Sequence, residues 1–479
     1  MIYMSLFIVV LGLCYLTSLP QARIYMDLTA NRNQTLSQAS QRILKSIKKP
    51  LIIHTYVNVL DATAYMGAPN MHNKINTFFE PYMRFIPDIK IDYQFYYGVL
   101  NKAQLAEQFP GKNLQQIVNE QSAFWGIDPK EVKPVSLLRE QTNLQKENFR
   151  FVWQLESGNR KTFLRIFDDV GRLPFEQEIA SALKQLVDPS PRLVFLQGQN
   201  ERTLSSAEDA GYQLAISKGE FRESLINKGF RVEAWLNRSF PKQVKNDILV
   251  IADPVVAFSE QELQNLKMYL ETGGDLLVLG EPGRQDLLNP LLQQVGIRFT
   301  KNKLEKQSAD FAADFLLPAY AKPKGLKDPS FFSTYLQELK TPVVMDGAVG
   351  ITVTDLKYNW QPVLNHLSQH NTTPLAMSMS RIQNGKEQRI LVLGDADVMS
   401  NAAINRSNIP TANQQFVRVL FRWLSQDDWP VDVHIPQLKD DELNLSHAAS
   451  GNIRLLFLVL LPAIVAGLGS LKFIKRTRK

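Results

Sequence analysis

Two uncharged apolar runs near the ends of the chain constrain it most. Residues 1–22 hold no charged side chain, and Arg23 is the first charge. Residues 455–471 (LLFLVLLPAIVAGLGSL) form a second such run, preceded by Arg454 and followed by a basic tail. About 20 apolar residues cross a bilayer core, and Pro462, Gly467 and Gly469 are tolerated in a membrane helix. Lys and Arg beside membrane helices stay on the cytoplasmic side. The tail is therefore expected inside, residue 454 outside and, after a second crossing, the first residues inside. Residues 24–451 become one large extracytoplasmic portion. The first run lacks a positive leading region and its exit, Ser18 to Ala22, is a poor small-x-small site, so an uncleaved anchor is expected over a signal peptide. A lipid-modified Cys14 is disfavoured by the bulky Leu13 before it.

Charge agrees with this sidedness. The net charge is +7, but Lys472, Lys475, Arg476, Arg478 and Lys479 supply five of those charges, leaving the remainder at +2. A nucleic-acid binder carries its excess on the folded domain, so no nucleic-acid partner is expected. Cys14 is the only cysteine, which excludes an intrachain disulfide and a Cys-x-x-Cys redox pair. His366 and His370 alone stand at i, i+4 spacing. Without a His-Glu-x-x-His pattern they read as an ordinary surface helix, and no metal ligand is assigned.

The expected organisation is an anchor at 1–22, a juxtamembrane helix segment at 23–49 and a first domain at 50–187. A second domain at 191–430 carries an insertion at about 300–385. A linker at 431–452, a transmembrane helix at 453–474 and a basic cytoplasmic tail at 475–479 complete the chain. Ser37 is a plausible cap for a short helix with Ile43, Leu44 and Ile47 on one face. In the first domain the patterns predict strands at 51–58, 89–97, 148–155 and 161–167, and helices at about 72–85, 112–124 and 175–187. Ser157-Gly158-Asn159 turns the last two strands. This β-α-β-α-β-β-α order resembles a thioredoxin-like arrangement without its redox cysteines. Past Asp188-Pro189-Ser190-Pro191, strands at 192–198, 230–236, 247–253, 275–283 and 389–397 alternate with helices at about 208–228, 260–272 and 413–424. That alternation predicts an α/β, doubly wound parallel sheet.

Several passages carry a resemblance. DLTANRNQTLSQASQRILKSIKKP (27–50), FLQGQNE (195–201), DILVIADP (247–254), YLETGGDLLVLGEP (269–282), LVLGDADVMSN (391–401) and the helix ending Arg422-Trp423-Leu424 occur in this order. Together with the C-terminal anchor they resemble the gliding-motility-type (GldG-like) auxiliary components of bacterial ABC transport systems. The resemblance implies a non-ATPase partner of an ABC permease and ATPase in the inner membrane. It also implies a glutamine-amidotransferase-like (flavodoxin-like) second domain without a catalytic cysteine. The chain departs from the family at Gly198-Gln199-Asn200-Glu201, where the family tends to read Gly-His-Gly-Glu.

Ligands of open parallel sheets bind at the carboxyl ends of the strands. Four exit loops are expected there: Gln199, Asn200, Glu201 and Arg202; Asp253; Glu281 and Arg284; Asp395 and Asp397. Clustered carboxylates suit a polar ligand or a hard cation, whereas Asp and Glu in such loops commonly cap helices. A hydrolase needs an activated nucleophile. The position of the fold's nucleophile elbow falls near Glu281, and neither a Gly-x-Ser-x-Gly nor a phosphate-binding loop is present. The chain therefore reads as a non-enzymatic accessory subunit that needs no cofactor. An envelope hydrolase or amidotransferase-like enzyme, or a freestanding binding protein, are the alternatives.

Overall fold

The computed structural model describes residues 35–86, 89–235, 247–321, 341–368, 371–433 and 446–477, with Tyr3, Phe7, residues 9–12, Cys14, Tyr15, Asp27 and Leu339. The chain divides into two compact units, Leu36–Val433 and a second comprising Met1–Thr35 with His434–Lys479.

Leu36–Val433 is mixed α/β and contains two larger sheets. Helix α1 (Gln38–Ser46) starts where the Ser37 side chain accepts the Ser40 amide. Its Leu44 and the following Ile47 are buried, and the Ser40 hydroxyl donates to Glu176 at 2.5 Å. This helix is thus part of the folded core of its unit. Next come β1 (Leu51–Asn58), α2 (His72–Met83), β2 (Ile89–Tyr97), α3 (Lys102–Gln108), α4 (Leu114–Phe124), β3 (Lys133–Pro134), β4 (Val152–Ser157), β5 (Arg160–Arg165) and α5 (Glu176–Gln185). They form a sheet of order β3-β2-β1-β4-β5. β1 runs parallel to β2 and antiparallel to β4. The β4–β5 hairpin turns at Gly158, whose φ of 64° suits glycine.

The second sheet begins with β6 (Arg192–Leu196), then α6 (Gln213–Ile216), β7 (Arg231–Trp235), β8 (Asp247–Ala252), α7 (Glu260–Glu271), β9 (Asp275–Leu279) and α8 (Gln285–Leu292). β10 (Ile297–Lys303), β11 (Phe315–Leu316), β12 (Ala319–Tyr320), β13 (Met345–Asp346), β14 (Val349–Val353), β15 (Gln361–Leu367), β16 (Thr372–Gln383) and β17 (Lys386–Leu393) follow, then α9 (Asn401–Ile404) and α10 (Asn413–Leu424). The strand order is β12-β15-β16-β17-β9-β8-β6-β7. The five strands β17-β9-β8-β6-β7 are mutually parallel, and β16, β15 and β12 extend them antiparallel. Every residue of β8 and β9 is buried, as the uninterrupted apolar runs require when both faces of a parallel sheet are covered. One face packs Phe416, Leu420 and Phe421 of α10. The other packs Leu266 and Leu270 of α7 with Leu288 and Leu291 of α8. The capping box Ser259–Glu262 and the helix 413–424 stand where the pattern placed them. The segment 300–385 supplies extra β-elements, including the antiparallel extension of the sheet.

Two expectations fail. The long helix at about 208–228 is absent; only α6 and a single 3-10 turn, Leu225–Lys228, are helical there. Tertiary partners take the backbone groups that a helix would use. The Leu214 amide donates to the Asn401 side chain, which in turn donates to the Ser206 and Glu208 carbonyls, and the Tyr212 amide donates to the Thr203 carbonyl. Gly211 and Gly219 lower the helical propensity further. His366 lies in strand β15, paired with β16, and not on a surface helix; His370 lies outside the described residues.

The second unit carries α11 (His447–Leu455), a π-helical turn (Leu456–Leu460) and α12 (Leu461–Thr477). Among the described residues, Ala448–Leu468 is the one helix long and apolar enough to cross a membrane. It starts before residue 453, inside the stretch read as a linker. The π turn ends two residues before Pro462, whose missing N–H and ring interrupt the helical ladder and widen it there. Most of the first apolar run lies outside the described residues; its described members are helical.

Candidate functional site

In order of sequence the parallel strands are laid down 2-1-3-4-5, so the direction of winding reverses between β6 and β8, and the crevice of such a sheet lies at that reversal. Arg202, which follows β6, sits at its centre. Its Nε lies 3.2 Å from Asp253 Oδ2 and its Nη2 2.8 Å from Glu281 Oε1, and Nη1 contacts Asp397 Oδ1. Arg284 Nη1 reaches Asp253 Oδ2 at 2.5 Å. The exits of β6, β8, β9 and β17 therefore meet through one guanidinium.

Local sequence explains the placement. β9 and β17 are parallel neighbours with Leu277, Val278 and Leu279 beside Leu391, Val392 and Leu393. Each strand ends Leu-Val-Leu-Gly followed by an acid, Glu281 in one and Asp395 in the other. Equal register thus sets two carboxylates side by side, and the Gly280 amide donates to the Leu393 carbonyl at 2.9 Å. Gly394 allows a close crossing: a Cβ there would stand 1.9 Å from the Val349 carbonyl oxygen. Asp253, at the β8 exit, has a left-handed φ of 54°, which Asp tolerates better than most residues.

Burial sets the electrostatics. Asp395 is fully buried, which holds its carboxyl well above the usual range, with Glu281 and Asp397 adding to the effect. Burial likewise pushes Glu281 up to about 8; Arg202 opposes the rise, and Asp397 and Asp253 reinforce it. Burial also raises Asp253 against the pull of Arg202 and Arg284. Asp253, Glu281, Asp395 and Asp397 are four carboxyl groups facing two guanidiniums, and burial favours the neutral form of Glu281 and Asp395. Asp395 Oδ1 accepts the Asp397 amide at 2.6 Å, whereas Asp395 Oδ2 and Asp253 Oδ1 are buried without a hydrogen-bond partner.

The remaining expected residues divide. Glu201 is buried and turned back on its own loop, where Oε2 accepts the Gly198 and Gln199 amides at 2.9 and 2.8 Å. Burial raises its carboxyl against those amides. Gln199 donates to Glu262 Oε1 at 2.9 Å, tying the β6 exit to the start of α7. Asn200 is exposed, with a left-handed φ of 57°. The structure thus gathers Arg202, Asp253, Glu281, Arg284, Asp395 and Asp397 and leaves Gln199, Asn200 and Glu201 beside them. It also adds residues that no sequence pattern marked. The Tyr212 hydroxyl donates to the Ala396 carbonyl at 2.8 Å. Glu281 opens onto a cleft of about 520 Å³ lined also by Lys303, Asp314, Asp346 and Arg406. No local spacing marks them, because they lie far apart along the chain, from Tyr212 to Arg406.

A family model described as a domain of unknown function (DUF4350) matches residues 219–417. That stretch contains Asp253, Glu281, Arg284, Asp395 and Asp397 and begins after Arg202. No curated protein matches the chain. Among solved structures it is similar to one titled "mmIFT52 N-terminal domain", at 16% identity and a TM-score of 0.38, covering 50% of this chain and 98% of that one.

Proposed function

We propose that the chain is a non-enzymatic, membrane-anchored accessory subunit of an ABC transport system, with its folded domains on the outer side of the inner membrane and its rim of charged loops serving recognition. The observation that carries this reading is the pairing of an apolar helix, Ala448–Leu468, with a sheet rim that holds carboxylates and guanidiniums but no thiol: the single cysteine lies in the first apolar run. Arg202 is held by three carboxylates, an arrangement suited to shaping a polar surface and ill suited to supplying a nucleophile. The basic residues that follow the apolar helix support a cytoplasmic C-terminus. The order β2-β1-β4-β5 supports a thioredoxin-like first domain, and β7-β6-β8-β9-β17 supports a flavodoxin-like second one. The resemblance to GldG-like components supplies the transport partners, a permease and an ATPase.

Affinity purification of the tagged full-length chain in a mild detergent tests this. Stoichiometric recovery of a polytopic permease and an ATP-hydrolysing subunit is expected. Recovery as a lone monomer across several mild detergents rejects the assignment.

A further inference from the structure

The in-register ends of β9 and β17 create a problem of chemistry. Glu281 and Asp395 stand side by side, and one carboxylate oxygen from each lies within 4.8 Å of the other and of one from Asp397. Like charges so placed repel unless a cation or proton intervenes. Arg202 answers only part of this, since it also serves Asp253. Within the cluster, Arg202 and the Ala396 amide engage Glu281 Oε1, Arg202 engages Asp397 Oδ1, and the Asp397 amide engages Asp395 Oδ1. None of those bonds uses Glu281 Oε2, Asp397 Oδ2 or Asp395 Oδ2. The last belongs to a fully buried side chain and has no hydrogen-bond partner. A buried polar oxygen left without a partner is uncommon, and here it belongs to the acid flanked by two others.

We propose that Glu281, Asp395 and Asp397 form a binding site for one oxygen-preferring divalent cation, of the Mg²⁺, Mn²⁺ or Ca²⁺ class. The donor set is all carboxylate, which favours hard cations over zinc or copper. One such ion would supply the positive charge that Arg202, shared with Asp253, leaves short at these three acids. Glu281 is the one of the three acids that lines the cleft shared with Lys303, Asp314, Asp346 and Arg406, so a hydrated ion would enter from its side, with room there for the waters, or a ligand's oxygens, that complete its shell. Arg202 remains as the fixed counter-charge that holds Glu281 and Asp397 together without the ion. The site does not depend on the transport assignment, since a cation site would serve equally in a recognition surface of another kind.

The test is a titration of the full-length, chelator-stripped chain in detergent with Mn²⁺, followed by calorimetry and by the loss of the free-ion electron-spin signal. Saturation near one ion per chain is expected, with Ca²⁺ or Mg²⁺ competing. Asp395→Asn should weaken binding by about tenfold or more. Asp397→Asn, a change at a partly exposed side chain, should do the same while leaving the melting profile intact. Asp355→Asn, in the turn after β14, should bind as the wild type does. Should Asp395→Asn fail to fold, Asp397→Asn decides. The proposal is overturned by the absence of saturable binding up to about 10 mM, beyond the weakest extracellular calcium sites, or by binding that Asp397→Asn leaves unchanged.

Discussion

At the scale of single residues, the first sheet holds an ionic clamp across three strands. His54 on β1 faces a carboxylate on each neighbouring strand: Nδ1 lies 2.8 Å from Asp92 Oδ1 on β2, and Nε2 lies 3.2 Å from Glu156 Oε2 on β4. Lys161 on β5 also reaches Glu156, at 2.9 Å, and the Tyr56 ring lies 6.3 Å from the imidazole. Asp92 is the main cause of a raised His54 pKa, opposed by burial and aided by Glu156. A group whose pKa is raised by folding binds its proton more tightly in the native state. Its contribution is complete below the unfolded value of 6.5 and is lost as pH climbs through the folded one. Chemical denaturation from pH 5.5 to 8.5 should therefore show a component of stability that falls with pH and is missing in His54→Gln. The substitution should cost about 1 kcal/mol at pH 5.5, as expected for part-exposed ion pairs, and less at pH 8.5. An equal cost at both ends of the range would contradict the charged clamp.

At the scale of elements, the rim depends on how closely β17 passes β14. Around Gly394 the backbone is fixed on both sides: its amide donates to the Leu375 carbonyl and its carbonyl accepts from the Val349 amide, each at 2.8 Å. The atom that a Cβ would strike is backbone, which cannot rotate away. Gly394→Ala should cost about 3 kcal/mol, the upper end for overpacking. At Gly280 the obstacle is the Phe299 ring, 2.6 Å from the added carbon, and a side chain yields more readily, so Gly280→Ala should cost about 1 kcal/mol. Urea midpoints measure both, and the reverse order would mean that the two strand exits are packed differently. The same elements show what was legible beforehand. Strand and helix alternation placed the four exit loops because buried parallel strands read as unbroken apolar runs, and DILVIA and DLLVL are such runs. The pairing of the β9 and β17 exits was not legible. Register between strands more than a hundred residues apart is a tertiary property, although both end Leu-Val-Leu-Gly-acid. The region 208–228 lacks a long helix, despite its helical apolar spacing, because Asn401, remote in sequence, captures its backbone. His366 lies in β15 for a related reason: pairing with the partner strand β16 overrides a two-residue i, i+4 coincidence.

At the scale of the folded unit Leu36–Val433, the two sheets are joined by buried charge. Glu178 on α5 of the first region accepts from Lys228 Nζ at 2.7 Å and from Arg222 Nη1 at 3.1 Å, both in the segment leading into β7 of the second. Lys228 and Glu178 are 1% and 3% exposed, so neither has water as an alternative partner. Arg222 is further held by Asp169 at 2.5 Å and lies over the rings of Phe167 and Phe175. Breaking such a group differs from replacing it. Glu178→Ala removes the nearest partner of the Lys228 ammonium, leaving it Glu223 at 3.1 Å and the Gln177 side chain at 3.2 Å in a dry site, and should cost about 3 kcal/mol, whereas replacing both charges by apolar groups of similar size is often neutral or better. The pair Glu178→Leu with Lys228→Met should therefore recover most of the loss, since Arg222 keeps Asp169 as its counter-ion. Scanning calorimetry distinguishes the outcomes. The wild-type chain should unfold the two sheets together, Glu178→Ala should separate them into two transitions, and the double variant should restore one. If Glu178→Ala lowers a single transition without splitting it, the sheets cohere through their apolar contacts and the ionic cluster serves only local geometry. A coupled unit would carry any change at the rim, cation binding included, into the first sheet as a shift of the whole transition, so the same instrument run with and without Mn²⁺ reads both properties of the molecule.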